Sequence, residues 1–197
     1  MRIANAFILM IAFLSFAFTG IEGDRVSATV DTETSQVLWK GYKVTGEHAG
    51  TIMIKEGNLD FEGDALIGGS FLIDMTTIAC TDLEGEWKEK LEGHLKSDDF
   101  FGVNNFPNAK FEITKVAAKG TPGDYKITGN LTIKETTKEI KFYANVSQDG
   151  GKNVAKADIK IDRSEFNVRY GSGSFFDNLG DKTIYDEFDL TIVLHTK

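Results

Sequence analysis

Along much of this chain apolar and polar residues alternate one by one. Between Asp124 and Lys134, Tyr125, Ile127, Leu131 and Ile133 alternate with Lys126, Thr128, Asn130 and Thr132. Over 138–147, Ile140, Phe142, Ala144 and Val146 alternate with Glu139, Lys141, Tyr143 and Asn145. Ala155, Ala157, Ile159 and Ile161 do the same over 154–162, and Phe188, Leu190, Ile192 and Leu194 over 187–195. A period of two with one apolar face predicts strands that are dry on one side and wet on the other. Segments 37–45, 51–61, 65–77 and 109–117 bring the expected total to about eight. Turn-forming residues recur at Gly46, Glu56-Gly57-Asn58, Glu62-Gly63-Asp64, Thr121-Pro122-Gly123-Asp124 and Gln148-Asp149-Gly150-Gly151. Short connections of this kind join antiparallel neighbours. Eight such strands with one apolar face close into an up-and-down barrel or stack as a two-sheet sandwich.

One segment has a different period. In 84–96, Trp87, Leu91 and Leu95 recur every fourth residue, which predicts a short helix with Asp82 as its N-cap and a tighter turn over 97–101. Lying between two strands, this helix is placed to plug or lid one end of a barrel.

The N-terminus is read separately. Arg2 precedes an apolar run of about 16 residues, 3–18, and the small residues Thr19, Gly20 and Gly23 follow. That is the layout of a secretory signal, with cleavage after Ala17, Gly20 or Gly23, and the run is short for a spanning helix of roughly 20 residues. We therefore expect residues 1–23 to be removed, 24–197 to form one domain, and the product to be periplasmic or secreted with no membrane span. An uncleaved anchor is the alternative.

Composition narrows the function. A net charge of −8 and a pI near 4.9 oppose nucleic-acid phosphates and polybasic docking on anionic lipid. Cys80 is the single cysteine, so no intrachain disulfide and no CxxC zinc spacing exists. His48, His94 and His195 fall in no metal-binding spacing. Cys80 has no signature base and reads as a small buried residue, with a nucleophilic role as the alternative. Adjacent Asp162 and Arg163 suggest a structural ion pair, and the Tyr170-Gly171-Ser172-Gly173-Ser174 stretch suggests a loop at a barrel mouth. Neither a catalytic group, a metal site nor a cofactor is expected.

The dry faces mix large and small residues. Gly41, Gly68 or Gly69, Gly129, Ala144, Ala155 and Ala157 would leave volume unfilled if they face inward. The candidate wall of such a cavity comprises Trp39, Phe71, Ile73, Phe111, Ile127, Leu131, Phe142, Ile159, Phe166 and Leu190, with His48 at its rim. A wall of this kind favours an apolar guest. An ordinary packed core fits the same periodicity.

Five ordered motifs carry a resemblance. They are the Gly46-Glu47-His48-Ala49-Gly50 segment and Gly69-Ser70-Phe71-Leu72-Ile73-Asp74-Met75. Next come His94-Leu95-Lys96-Ser97-Asp98-Asp99-Phe100-Phe101 with Asn105-Phe106-Pro107-Asn108-Ala109-Lys110-Phe111, then the run from Tyr125 to Lys134, and Ile161-Asp162-Arg163-Ser164-Glu165-Phe166. With these the chain resembles the YceI-like family of exported, lipocalin-like isoprenoid-binding proteins. The resemblance implies an all-β, eight-stranded antiparallel barrel holding a long apolar small molecule, such as an isoprenoid quinone or polyprenyl lipid. It also implies a possible homodimer. A lipid-modifying enzyme in the same cavity, or an interaction protein without a ligand, are the competing readings.

Overall fold

The computed structural model describes residues 24–197, so the expected signal segment lies outside the described residues. Nine strands make one sheet: β1 (Arg25–Thr29), β2 (Gln36–Lys43), β3 (Gly46–Glu62), β4 (Ala65–Cys80), β5 (Asn108–Lys119), β6 (Thr121–Ile133), β7 (Thr136–Asp149), β8 (Lys152–Asp162) and β9 (Ile184–His195). Their order is β1-β3-β2-β9-β8-β7-β6-β5-β4, and a further β3–β4 pairing joins the ends. The strands β2 to β9 thus form a closed eight-stranded antiparallel barrel, which decides between barrel and sandwich. Closure leaves these strands no free edge over their paired lengths.

The ninth strand is an addition to the expected eight. β1 pairs with the far half of β3 (Thr29 opposite Asn58), while β2 pairs with its near half (Val37 opposite Ile52). Two short strands therefore share one edge of a long one. β3 also runs longer than expected. Gly46 and Glu56-Gly57-Asn58, both read as turn positions, lie inside it. The register against β4 shifts between Thr51 and Met53, between Ile54 and Glu56, and between Asp60 and Phe61. Such bulges bend and twist a strand locally, which lets 17 residues wrap a small barrel. The predicted turn at 121–124 likewise belongs to the start of β6.

The helix α1 (Gly85–Lys96) lies between β4 and β5. Its N-cap is Glu84, with no side-chain cap, and Asp82 is occupied elsewhere. Trp87 departs from the expected stripe: it is exposed, whereas Leu91 and Leu95 turn to the barrel. From strand directions, α1, the β2–β3 hairpin and the long 163–183 connection all sit at one end of the barrel. Phe100, Phe101 and Val103, after the helix, are buried there. The other end is closed by Val30, Leu59, Phe61, Leu66 and Tyr125, all buried. The Tyr125 hydroxyl accepts a hydrogen bond from the Leu66 N–H at 3.3 Å.

Candidate ligand cavity

The inward faces of the strands do not all pack against one another. On β7, Ile140, Phe142, Ala144 and Val146 point inward yet are only half-buried. On β9 the same is true of Phe188, Leu190 and Ile192. They face open space: the barrel encloses a cavity of about 530 Å³. That volume suits a small hydrophobic ligand.

Glycine and aromatic residues shape this space together. A Cβ on Gly50 would lie 2.5 Å from the Trp39 ring, one on Gly57 2.7 Å from the Phe71 ring, and one on Gly129 2.4 Å from the Phe111 ring. Each ring occupies space that a side chain at the facing glycine would need. All three rings line the cavity, and Phe71 and Phe111 stack with centroids 6.3 Å apart. Gly129 was expected to leave empty volume; the Phe111 ring fills it instead. Gly41 behaves as expected, with nothing within 4 Å of a Cβ built on it. Gly68 and Gly69 leave no such space: their nearest neighbours are Asp60 and the Asn58 carbonyl.

Of the candidate wall residues, Trp39, Phe71, Ile73, Phe111 and Ile127 lie on the cavity. Leu131, Phe142, Ile159 and Leu190 do too. Phe166 does not. It is 1% exposed in a 3₁₀ turn, Arg163–Phe166, where it fills the packed core beside β7 and β9. Its apolar character is equal to that of the wall residues, so only the turn geometry separates them.

Polar groups gather toward the helix end. His48 lies on the cavity there and its Nδ1 is 3.0 Å from Asp82 Oδ2. Asp82 also accepts from the Ala49 N–H at 3.2 Å and from the Cys80 thiol at 2.9 Å. Partial burial pushes the Asp82 carboxyl up, but these hydrogen bonds outweigh it and hold it at about 2. Burial, and then the bond to Asp82, push the Cys80 thiol up. Cys80 is therefore more than the inert apolar residue expected, since its S–H is a donor. It is absent from the cavity wall, however, and its neighbouring carboxylate disfavours the thiolate.

Arg163 is also at this end, 2% exposed. Its expected partner Asp162 instead caps the 3₁₀ turn, accepting from the Ser164 N–H at 2.8 Å. The guanidinium donates to the carbonyls of Tyr185, Val168 and Ile184 at 3.1, 2.8 and 2.9 Å. Its charge is balanced by Asp186, 3.3 Å away without hydrogen-bond alignment. Burial lowers its pKa, against the opposing pull of Asp186 and Asp162. Its donors are committed to the backbone, so it fixes the 163–186 loop and leaves little for a ligand.

Sequence reasoning missed His94 and Tyr170 as wall residues. The rings meet edge to face, 4.3 Å apart, and His94 also meets Phe100 at 5.8 Å. His94 Nε2 is buried without a hydrogen-bond partner. The signal was available: His94 directly precedes Leu95 on the helix face that meets the barrel. His195 is half-buried. Among the described residues, no group of three or more His, Cys, Asp or Glu side chains is placed to hold a metal ion.

Fold and cavity together define a closed antiparallel β-barrel with an apolar interior open toward one helix-covered end. The profile of the YceI-like domain matches residues 29–196, and the chain belongs to that family. A UPF0312 protein of Shewanella denitrificans is 34% identical over 95 residues, 48% of this chain and 47% of that one. Protein YceI of Salmonella arizonae is 37% identical over 81 residues, 38% of this chain and 41% of its own. The chain thus spans about half the length, or less, of these curated relatives. Among solved structures, Burkholderia cenocepacia BcnA superposes with a TM-score of 0.71 at 23% identity, over 85% of this chain and 99% of that one. A polyisoprenoid binding domain from Saccharophagus degradans gives 0.66 at 13%, over 86% and 97%. These likenesses establish the shared barrel.

Proposed function

We propose that this protein binds a long apolar molecule, an isoprenoid or comparable lipid chain, inside the barrel, and carries or sequesters it without transforming it. The observation that carries this is the open lumen of about 530 Å³, walled by aromatic and aliphatic side chains with Gly41 facing empty space. Moving a chain from water onto such a wall contributes about 0.8 kcal/mol per buried methylene, so affinity needs few polar contacts. The polar end of the guest is best served beside His94, whose buried Nε2 has no protein partner. Membership of the YceI-like family and the description of the Saccharophagus barrel as polyisoprenoid-binding support a binding role. The raised Cys80 thiol, away from the wall, supports carriage over nucleophilic chemistry.

The test is organic extraction of purified protein followed by mass spectrometry. A lipid at near-stoichiometric amounts is expected. Repeated absence of lipid, with no uptake of polyprenols or quinones from detergent, overturns the reading. We further propose export, because Arg2 and the apolar run 3–18 form a signal-like leader. N-terminal sequencing of the mature protein should begin between residues 18 and 24.

A further inference from the structure

The large apolar side chains left exposed are not spread evenly. Val44, Trp87, Tyr170, Phe175, Phe176 and Tyr185 all belong to the elements of the helix end, with exposures from 40% for Phe175 to 70% for Trp87. The pieces are tied together: the Val44 N–H donates to the Thr183 carbonyl, the Ile184 N–H to the Gly171 carbonyl, and Tyr170 packs on His94 of α1. At the opposite end Val26, Ile67 and Tyr143 are exposed too, but they stand singly on β1, β4 and β7, and no apolar side chain is exposed in that end's turns. Those turns are Asp31-Thr32-Glu33-Thr34-Ser35, Glu62-Gly63-Asp64, Lys119-Gly120-Thr121 and Asp149-Gly150-Gly151-Lys152. Tyr170 and Tyr185 belong to the cavity wall as well as to the exposed rim, so the apolar lining continues onto the surface.

We propose that this rim docks on the surface of a zwitterionic lipid bilayer and joins the cavity to the acyl region. The proposal rests on reading the cavity as a lipid site. A long apolar guest leaves water only by a continuous apolar path, and the rim supplies one. Trp and Tyr favour the bilayer interface, where one part of the ring is apolar and another wet. Lys90 Nζ lies 5.0 Å from the Trp87 ring centre and the Arg169 guanidinium 4.8 Å from that of Phe175. Lys90 also pairs with Glu86 at 2.7 Å, so Arg169 is the cation placed to meet headgroup phosphates while the rings sink deeper. The net charge of −8 selects a neutral surface over an anionic one. A second copy of the chain is the poorer occupant. Five half-exposed aromatics offer about 500 Å², below the roughly 800 Å² per partner of a stable protein interface, and a copy seated there would seal the mouth.

The test uses the processed protein, delipidated, with vesicles of phosphatidylcholine. Flotation with the vesicles is expected, with quenching of tryptophan emission by brominated phosphatidylcholine that disappears in Trp87→Phe. The triple variant Trp87→Ser, Phe175→Ser, Phe176→Ser should lose vesicle binding at least tenfold while still taking up lipid from detergent. Phosphatidylglycerol in the vesicles should weaken binding. No flotation, or equal flotation of the triple variant, overturns the proposal. So does a dimer that the triple variant dissociates, because the rim then belongs to a second copy. Flotation by a protein that never carries lipid refutes the cavity reading and leaves the docking surface standing.

Discussion

Gly41→Phe tests the cavity with little disturbance to the barrel. Gly41 lies on β2 with Trp39 on the same face, opposite His48 on β3 and Phe188 on β9. All of these reach the lumen. A Cβ at Gly41 meets nothing within 4 Å, and its φ lies outside the left-handed region. A side chain can therefore leave the backbone there without clash at its Cβ and enter the lumen, and phenylalanine suits a strand interior better than glycine. The ring would occupy the space of about five chain methylenes, and at about 0.8 kcal/mol each the guest loses about 4 kcal/mol. That is about three orders of magnitude in Kd. The assay is displacement of a fluorescent apolar probe, read beside the amount of lipid co-extracted from the variant. Thermal unfolding should stay cooperative at an unchanged or slightly higher temperature. A variant that folds so and still holds lipid at the wild-type stoichiometry refutes the argument, since the guest then lies elsewhere.

Other outcomes follow from the mouth. The folded pKa of Asp82, about 2, lies below its ordinary 3.8, so its contribution is full above about pH 4 and fades as pH falls toward 2. Asp82→Asn should cost about 1 kcal/mol at neutral pH, less than the whole shift because the carboxylate is 37% exposed, and nothing well below pH 2; urea titrations across pH measure this. Arg163→Met strands Asp186 and three carbonyls, so a loss of about 3–5 kcal/mol is expected in chemical denaturation, with early proteolysis of the 163–183 loop. His94→Phe keeps the aromatic packing on Tyr170 but removes a hydrogen bond worth about 1 kcal/mol. Its affinity should fall several-fold for a polyprenol and stay unchanged for the matching hydrocarbon.

Period-two alternation made most of the barrel legible, because one wet and one dry face write themselves directly into the order of residues. β1 escaped for the same reason: Arg25, Val26, Ser27 and Thr29 are exposed and only Ala28 is half-buried, so no dry face exists to read. The turn signals misled at Glu56-Gly57-Asn58, where glycine serves a bulged strand and leaves room for the Phe71 ring. The wall was legible as composition, but Phe166 shows the limit: a buried aromatic on a 3₁₀ turn looks in sequence like one on a strand. Asp82 shows another. Its place before a helix suggested a cap, yet contacts with residues 33 and 34 positions away, Ala49 and His48, determine its role. His94 and Tyr170 lie 76 residues apart, in a helix and a loop, and only tertiary packing joins them.

The position of β9 has a consequence for how the chain acquires this shape. It lies between β8 and β2 and pairs Gln36 with Val193 at one end of the β2 ladder. The seam of the cylinder is therefore made by the last of the barrel's strands along the chain against the first. Until it arrives, β2 and β8 each present an unpaired edge, and the apolar inner surface stands open along a slit. Contacts so distant along the chain make folding slow, and open edges invite pairing with other chains in the interval. A nascent or unfolded chain is accordingly most vulnerable to aggregation just before β9 pairs, and loss of that strand should leave an open, self-associating sheet rather than a smaller barrel.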